Sequence, residues 1–306
     1  MSIGKIRDNI ISFLYRHGLR QIFFLVDPEK IHDQMLWFGR VLGSNIVTKK
    51  ITGLMFGYQN KILEQDIAGI HFKNPVGLTA GFDKDAQITD ILPYVGFGFE
   101  EVGSITGEAF GGNPKPRLWR LKKSKGLAVY YGLKNAGCEA TAAKLSKKHF
   151  EYPLGISIAK TNSRATAEVR AGIADYAKAY SKFTDIGDYF TINISCPNTW
   201  EEEEPFTKAE NLDALLTELQ KIPTVKPVFI KLSPDLPPEN LDGILAVSDR
   251  HRVTGFICTN LTKKRENPKI FDQNIPIKGG MSGKVVEDLS NDLIKYVYRK
   301  TGGKYV

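Results

Sequence analysis

Cysteine is scarce in this 306-residue chain, with only Cys138, Cys196 and Cys258 and no Cys-x-x-Cys spacing among them. An odd, widely spaced set excludes both a disulfide framework and a zinc knuckle, so no metal site is expected and a reducing compartment is. No apolar run approaches the ~20 residues that a spanning helix needs. No small-residue cleavage site follows the first apolar stretch, so the chain is expected to be neither exported nor membrane-spanning. No Gly-x-Gly-x-x-Gly follows an early strand, which argues against a dinucleotide fold. Internal repeats are absent as well, and the one low-complexity stretch, Glu201 to Glu204, reads as a solvated acidic loop.

What remains is ordinary globular material, 42% hydrophobic and 25% charged, enough for one large domain and a small appendage. The net charge of +8 admits nucleic acid, an anionic membrane surface or small anions as partners and does not choose among them. Near the N-terminus Ile3, Ile6, Ile10, Phe13 and Leu14 recur at helical spacing, with Lys5, Arg7, Arg16 and Arg20 at polar positions. That is a basic amphipathic helix. Asp27-Pro28-Glu29 then supplies an N-cap, a first-turn proline and a first-turn acid for a second helix, with Ile31, Met35, Phe38 and Leu42 on one face. Residues 1–60 are therefore expected to form a helical segment that packs on the main body, lies on a membrane surface, or does both. Residues 61–306 form the main body.

From about Asn74 onward, short apolar runs alternate with helix-compatible stretches. The runs are Val76 to Thr79, Phe97 to Val102, Leu154 to Ile158, Phe190 to Ile194, Val228 to Leu232 and Phe256 to Cys258, and the helices include Arg164 to Lys182, Asn211 to Lys221 and Pro238 to Ser248. Runs apolar throughout suit parallel strands buried on both faces. Repeated strand-then-helix order leaves an open doubly wound sheet or a closed barrel. The polar residues decide between them: Lys84, Ser104, Lys160, Asn193 with Asn198, Lys231 and Asn260 each sit in or just after a different run. A barrel gathers all its strand ends at one mouth, whereas an open sheet concentrates its site at one switch point. The expected fold is an α/β (β/α)8 TIM-type barrel with a small N-terminal helical extension. Only six strands are visible, with Lys304-Tyr305-Val306 opening a seventh, so the barrel is expected to lack its last one to two β/α units.

The most informative string is Asn193-Ile194-Ser195-Cys196-Pro197-Asn198, two amides and a thiol at the fourth strand's end. Alone it reads more simply as a strand turning at proline, with its asparagines serving local backbone. It is accompanied in order by Gly77-Leu78-Thr79-Ala80-Gly81-Phe82-Asp83-Lys84-Asp85, Glu101-Val102-Gly103-Ser104-Ile105-Thr106, Ile230-Lys231-Leu232-Ser233-Pro234-Asp235, Thr259-Asn260 and Gly279-Gly280-Met281-Ser282-Gly283. Together these strings resemble the dihydroorotate dehydrogenase family, from about Phe24 to the last residue. The helical extension, with Phe24-Leu25-Val26-Asp27-Pro28-Glu29, is similar to that of its membrane-associated, quinone-reducing class.

The resemblance implies oxidation of dihydroorotate to orotate in pyrimidine synthesis, with a bound FMN passing electrons to a quinone. It also implies peripheral contact with the cytoplasmic side of the cell membrane and no nucleic-acid partner. Ala80, Ser104, Asn193, Lys231, Thr259 and Gly283 match flavin-contact positions, and Lys84, Asn193, Asn198 and Asn260 match positions that hold the substrate. Cys196 matches the catalytic base, where a thiol of reference pKa near 8.5 ionises far more readily than a serine hydroxyl. Serine is usual there in the quinone-reducing class and cysteine in the soluble class, so this chain mixes the two. Val129 stands where the family has a substrate-binding asparagine, and Ser157 where the quinone class commonly has another. The family also anchors the FMN phosphate on loops after the seventh and eighth strands, so weak flavin retention is expected of the polypeptide to Val306. An alternative reading keeps barrel and flavin and changes the substrate to another dihydropyrimidine or to uridine in RNA. A further alternative is an inactive truncated relative.

Overall fold

The computed structural model describes residues 3–199 and 204–306. Most of the acidic run therefore lies outside the described residues, and Glu204 alone lies within.

The chain opens with α1 (Ile3–Leu14), which runs through a π-helical turn at Tyr15–Leu19 into α2 (Arg20–Leu25). Asp27 caps α3 (Pro28–Gly43) by accepting the Lys30 N–H at 3.1 Å, with proline in the first turn, and α4 (Ile46–Phe56) follows behind Asn45, which accepts from Val47 and Thr48. These caps satisfy backbone donors that a helix start leaves without partners. The face of α3 that packs inward differs from the expected one. Leu36 is its buried large side chain, against Ile88, Ile91 and Leu92, while Phe38 is 48% exposed. Gly39 sets this rotation: a Cβ there would lie 2.7 Å from Ile88 Cγ2, so the helix approaches most closely along its glycine edge. Ile10, Phe13, Leu14, Ile22 and Leu25 on the first rod stay exposed.

Six parallel strands form the central curled sheet of the α/β barrel, as the alternating pattern predicts. They are β3 (Gly77–Leu78), β4 (Phe99–Ile105), β7 (Leu154–Ile158), β8 (Tyr189–Asn193), β9 (Val228–Leu232) and β10 (Gly255–Cys258), each neighbouring the next in that order. Around them lie α5 (Leu92–Val95), α6 (Cys138–Leu145), α7 (Val169–Ser181), α8 (Ala209–Leu219), α9 (Pro238–Arg250) and α10 (Glu287–Thr301). Ile156, Phe190, Ile192 and Ile230 on the strands are fully buried with Phe183, Leu212, Leu215 and Ile244 from the helical layer, forming one continuous core. Burying each such side chain stabilises by roughly 1.5–3 kcal/mol. Val306 hydrogen-bonds alongside β10, accepting from Phe256 at 3.0 Å and donating to Thr254 at 3.4 Å.

The expected helix from Arg164 to Lys182 is broken. A 3-10 turn at Arg164–Thr166 precedes α7, because the Thr166 hydroxyl donates to the carbonyls of Thr161 and Ser163 and so holds a local turn in place of a first helical turn. Two small sheets had no place in the sequence reading. A hairpin pairs β1 (Gln65–Ile67) with β2 (Ile70–Phe72), and β5 (Leu118–Leu121), β6 (Gly126–Val129) and β11 (Gly280–Gly283) form an antiparallel sheet in the order β11-β6-β5. The second one brings Val129 opposite Gly280, across more than half the barrel's sequence. No helix among the described residues is long and apolar enough to cross a membrane.

Candidate active site

Ser104 owes its placement to an irregularity. The register between β4 and β7 shifts between Val102 and Ile105, and such bulges re-aim side chains next to functional sites. Gly103 at the shift has φ +111°, and a Cβ there would meet the Ser157 carbonyl oxygen at 2.5 Å, so only glycine fits. Ser104 Oγ then lies 2.8 Å from Ser157 Oγ and accepts from Asn193 Nδ2 at 2.9 Å. Asn193 Oδ1 accepts in turn from Asn260 Nδ2 at 3.0 Å, and that amide also donates to the Ser195 carbonyl at 2.7 Å. The ends of β4, β7 and β8 and the turn after β10 are thereby tied into one polar network. Ser157, standing where an asparagine was expected, is a working member of it.

Lys231 sits beside Asn193 in the strand register, on β9, and is 7% exposed. Its ammonium has no hydrogen-bond acceptor and no carboxylate partner among the described residues. Asn198 is 4% exposed; its Nδ2 donates to the Val129 carbonyl at 3.0 Å, and its Oδ1 is buried with no partner. Val129 thus contributes a backbone oxygen where its side chain contributes no hydrogen bond. Asn113 and Asn162 donate to the Asn198 carbonyl at 3.1 and 3.4 Å, beside a cavity of about 820 Å³ whose rim carries Arg164, Lys263 and Lys278.

Cys196 lies between Asn193 and Asn198 on the turn after β8. Burial pushes its thiol up to about 11; the Asn198 N–H and the charges of Lys231 and Lys263 pull the other way, and the charge of Glu204 adds to the rise. Without a ligand, burial therefore disfavours the thiolate relative to the reference thiol. Glu204, expected in a solvated loop, is corrected. It lines a small cavity together with Cys196, Lys160 and Tyr176, and burial pushes its carboxyl up to about 7.

Lys84 lies in the segment after β3. Its ammonium donates to the Gly81 carbonyl and lies 4.2 Å from the centre of the Tyr131 ring. Burial, with Lys134 nearby, brings it down to about 8. Ala80 precedes the turn whose Gly81 N–H bonds the Gly103 carbonyl at 2.8 Å, and Thr259 donates to the Asn260 carbonyl at 3.1 Å, so both border the network. Gly283 is set apart from that network, its backbone packed on Lys125 and Gly126 of the β5–β6 turn.

The sequence reading placed Glu29 in the first turn of α3 but passed over its partner Arg117, and it passed over His32 and Tyr131 as site groups. His32 Nε2 lies 2.8 Å from the Phe82 carbonyl, and its ring is 6.2 Å from that of Tyr131. Glu29 is buried against Arg117, whose Nε and Nη2 both donate to it, and the Arg117 guanidinium lies 4.9 Å from the Tyr131 ring centre. The Tyr131 hydroxyl is buried with no partner. Glu29 in the first turn and a histidine one turn later were the local signals for this cluster.

A family model described as "Dihydroorotate dehydrogenase" matches residues 62–305. Similar curated proteins include one named dihydroorotate dehydrogenase (quinone) from Acaryochloris marina, 34% identical over 314 residues, covering 95% of this chain and 82% of that protein. Another of the same name, from Christiangramia forsetii, is 34% identical over 297 residues, covering 94% and 84%. Among solved structures, DHODH from Eimeria tenella in complex with ferulenol superposes with a TM-score of 0.80 at 27% identity, covering 92% of this chain and 79% of that one.

Proposed function

The chain belongs to the dihydroorotate dehydrogenase family, a flavin-dependent family of oxidoreductases, and from that membership we propose that it oxidises dihydroorotate to orotate, with FMN passing the electrons to a quinone. The observation that carries the reading is the open bonding capacity at the mouth: a largely buried Lys231 without an ion pair, a buried acceptor on Asn198 without a donor, and a thiol between the amides.

Buried polar groups left unmatched cost about 1–3 kcal/mol each, so a site that keeps several of them is complementary to a ligand. Lys231 fits a flavin, since a fixed cation stabilises a ring that gains negative charge on two-electron reduction. Ala80, Ser104, Asn193, Thr259 and Gly283 complete the flavin contacts in this reading. A bound FMN supplies the hydride acceptor. The chain's own part is to hold the planar anion: Lys84 faces its charge, Asn198 Oδ1 accepts a ring N–H, and Asn193 and Asn260 exchange bonds to each other for bonds to the ligand. Cys196 takes the proton from the carbon next to the carbonyl.

A second open cluster supports a site for the quinone. α3 carries His32 to the loop that holds Lys84, both lie near the Tyr131 ring, and the unpartnered Tyr131 hydroxyl is a donor suited to a quinone carbonyl. The exposed apolar residues of the first helices, with Leu25 at 87%, support peripheral contact with the cytoplasmic side of the membrane, from which a lipid-soluble quinone would enter. No nucleic acid is required. We place the boundary between this helical segment and the barrel near residue 60.

The test is dihydroorotate oxidation with a short-chain quinone. Cys196→Ala is expected to lower the rate by about 100- to 10,000-fold, the range of general acid–base catalysis, and Lys84→Ala to abolish measurable orotate binding. Unchanged turnover in either variant would overturn these assignments.

A further inference from the structure

Cys196 has been assigned a task that its surroundings oppose. With the thiol pushed up to about 11, only about one part in ten thousand is ionised near pH 7. A protonated, half-buried thiol can still pass a proton along if a second base receives its own, and the structure places a carboxyl group at the same cavity. Glu204 sits at the foot of the 3-10 turn Pro205–Thr207, where its carbonyl accepts the Thr207 N–H at 2.9 Å and the Thr207 hydroxyl at 2.7 Å. Its backbone is thus fixed, and it lines the same small, half-open cavity as Cys196. That cavity measures about 20 Å³, against the roughly 10–15 Å³ that one water requires.

We propose that Glu204 is the proton acceptor for Cys196: as the sulfur takes the substrate's proton, the thiol proton passes through a single water in this cavity to the Glu204 carboxylate. The proposal rests on the dehydrogenase reading above. The balance is closed. The substrate C–H next to the carbonyl breaks and its electron pair becomes the ring double bond as the neighbouring carbon's hydride leaves to the flavin. One S–H bond forms as another breaks, and one O–H bond forms on Glu204, which returns its proton to solvent. Glu204 acts through Cys196 and is a positioning and proton-accepting residue; it does not touch substrate.

The surrounding groups suit that task. Burial holds the carboxyl near 7, with Lys263 lowering it and Asp235 raising it, so near neutral pH a substantial fraction is ionised and able to accept a proton. Of the other titratable groups facing the cavity, Lys160 is buried and Tyr176 is committed, its hydroxyl donating to the Asn193 carbonyl at 2.8 Å. Lys231 and Lys263 favour the thiolate from farther off.

Two measurements on the full chain test this. Flavin bleaching by dihydroorotate is followed across pH in wild type, Glu204→Gln and Glu204→Asp, and alkylation of Cys196 by iodoacetamide is followed without substrate by peptide mapping, which separates it from Cys138 and Cys258. In wild type the bleaching rate is expected to fall as pH drops through about 7. Glu204→Gln should be slower by about 100-fold, with that inflection gone and the rate climbing toward alkaline pH, and Glu204→Asp should restore the inflection. Removing the carboxylate charge should also make the thiol easier to ionise, moving the onset of alkylation to lower pH. A purely structural role would not make Cys196 more reactive and bleaching slower together. Wild-type bleaching and inflection in Glu204→Gln, or an unshifted alkylation profile, would overturn the proposal. Failure of dihydroorotate to bleach the wild-type flavin would instead refute the dehydrogenase reading, while the alkylation shift would still report whether Glu204 and Cys196 are coupled.

Discussion

Two of the places where this molecule buries charged side chains do so in opposite ways. At the seam between α3 and the antiparallel sheet, Glu29 meets Arg117 through two guanidinium nitrogens, and the remaining donor, Nη1, goes to the carbonyls of Gly111 and Asn113 at 3.0 Å each. Every group is answered by protein. At the barrel mouth Lys231 has no counter-charge and Asn198 Oδ1 no donor among the described residues. The difference separates architecture from function: a closed pair fixes one element on another, whereas an open one carries a standing cost that a ligand relieves.

The contrast can be broken by substitution. Replacing the open charge should harm chemistry and spare the fold: Lys231→Met is expected to reduce flavin reduction by about 100- to 1,000-fold while leaving the melting temperature unchanged or raised. A large loss of stability would show that Lys231 is a structural cation. Replacing half of the closed pair should do the reverse. Glu29→Gln strands Arg117 and is expected to cost about 3–5 kcal/mol in denaturant unfolding, with the bleaching rate by dihydroorotate retained in the folded fraction. The same pair gives a pH signature. Burial would raise the Glu29 carboxyl, but Arg117 and Lys115 outweigh it and hold it below the usual range, so its stabilisation is present above about pH 4.5 and is lost as pH falls through the lowered value.

A smaller effect sharpens the comparison at Lys84. Burial first, then Lys134, lowers its ammonium to about 8, so it is charged at neutral pH and loses its proton above that. Orotate affinity is expected to weaken above about pH 8 by up to tenfold per pH unit, read by calorimetry. Fold stability should move the other way. Between about 8 and the unfolded value of 10.5 the unfolded chain holds more protons, so this group's contribution rises with pH. Affinity that stays flat to pH 10 would remove Lys84 from the anion site.

Much of the barrel was legible because its signals are local. Leu154–Ile158 and Val228–Leu232 begin and end where their apolar runs do, since a strand buried on both faces needs apolar residues along its whole length. The α3 cap at Asp27 was legible for the same reason. The antiparallel sheet was not, because β11 joins β5 and β6 from about 150 residues away in sequence and its Gly-Met-Ser-Gly carries little strand propensity. Polar residues at strand ends were visible as a set, but not which of them bond to each other: Asn260 is engaged with Asn193 and Ser195, whereas Asn198 is left open.

The order of strand and helix, the capping of α3 and the identity of the groups at the strand ends were written in the sequence, because periodicity and side-chain chemistry are properties of neighbouring residues. The protonation of Cys196, the company of Glu204 and the pairing of Glu29 with Arg117 were decided only by the tertiary structure. Desolvation and Coulomb interactions depend on what surrounds a group in space, and these partners come from segments that the chain itself keeps far apart.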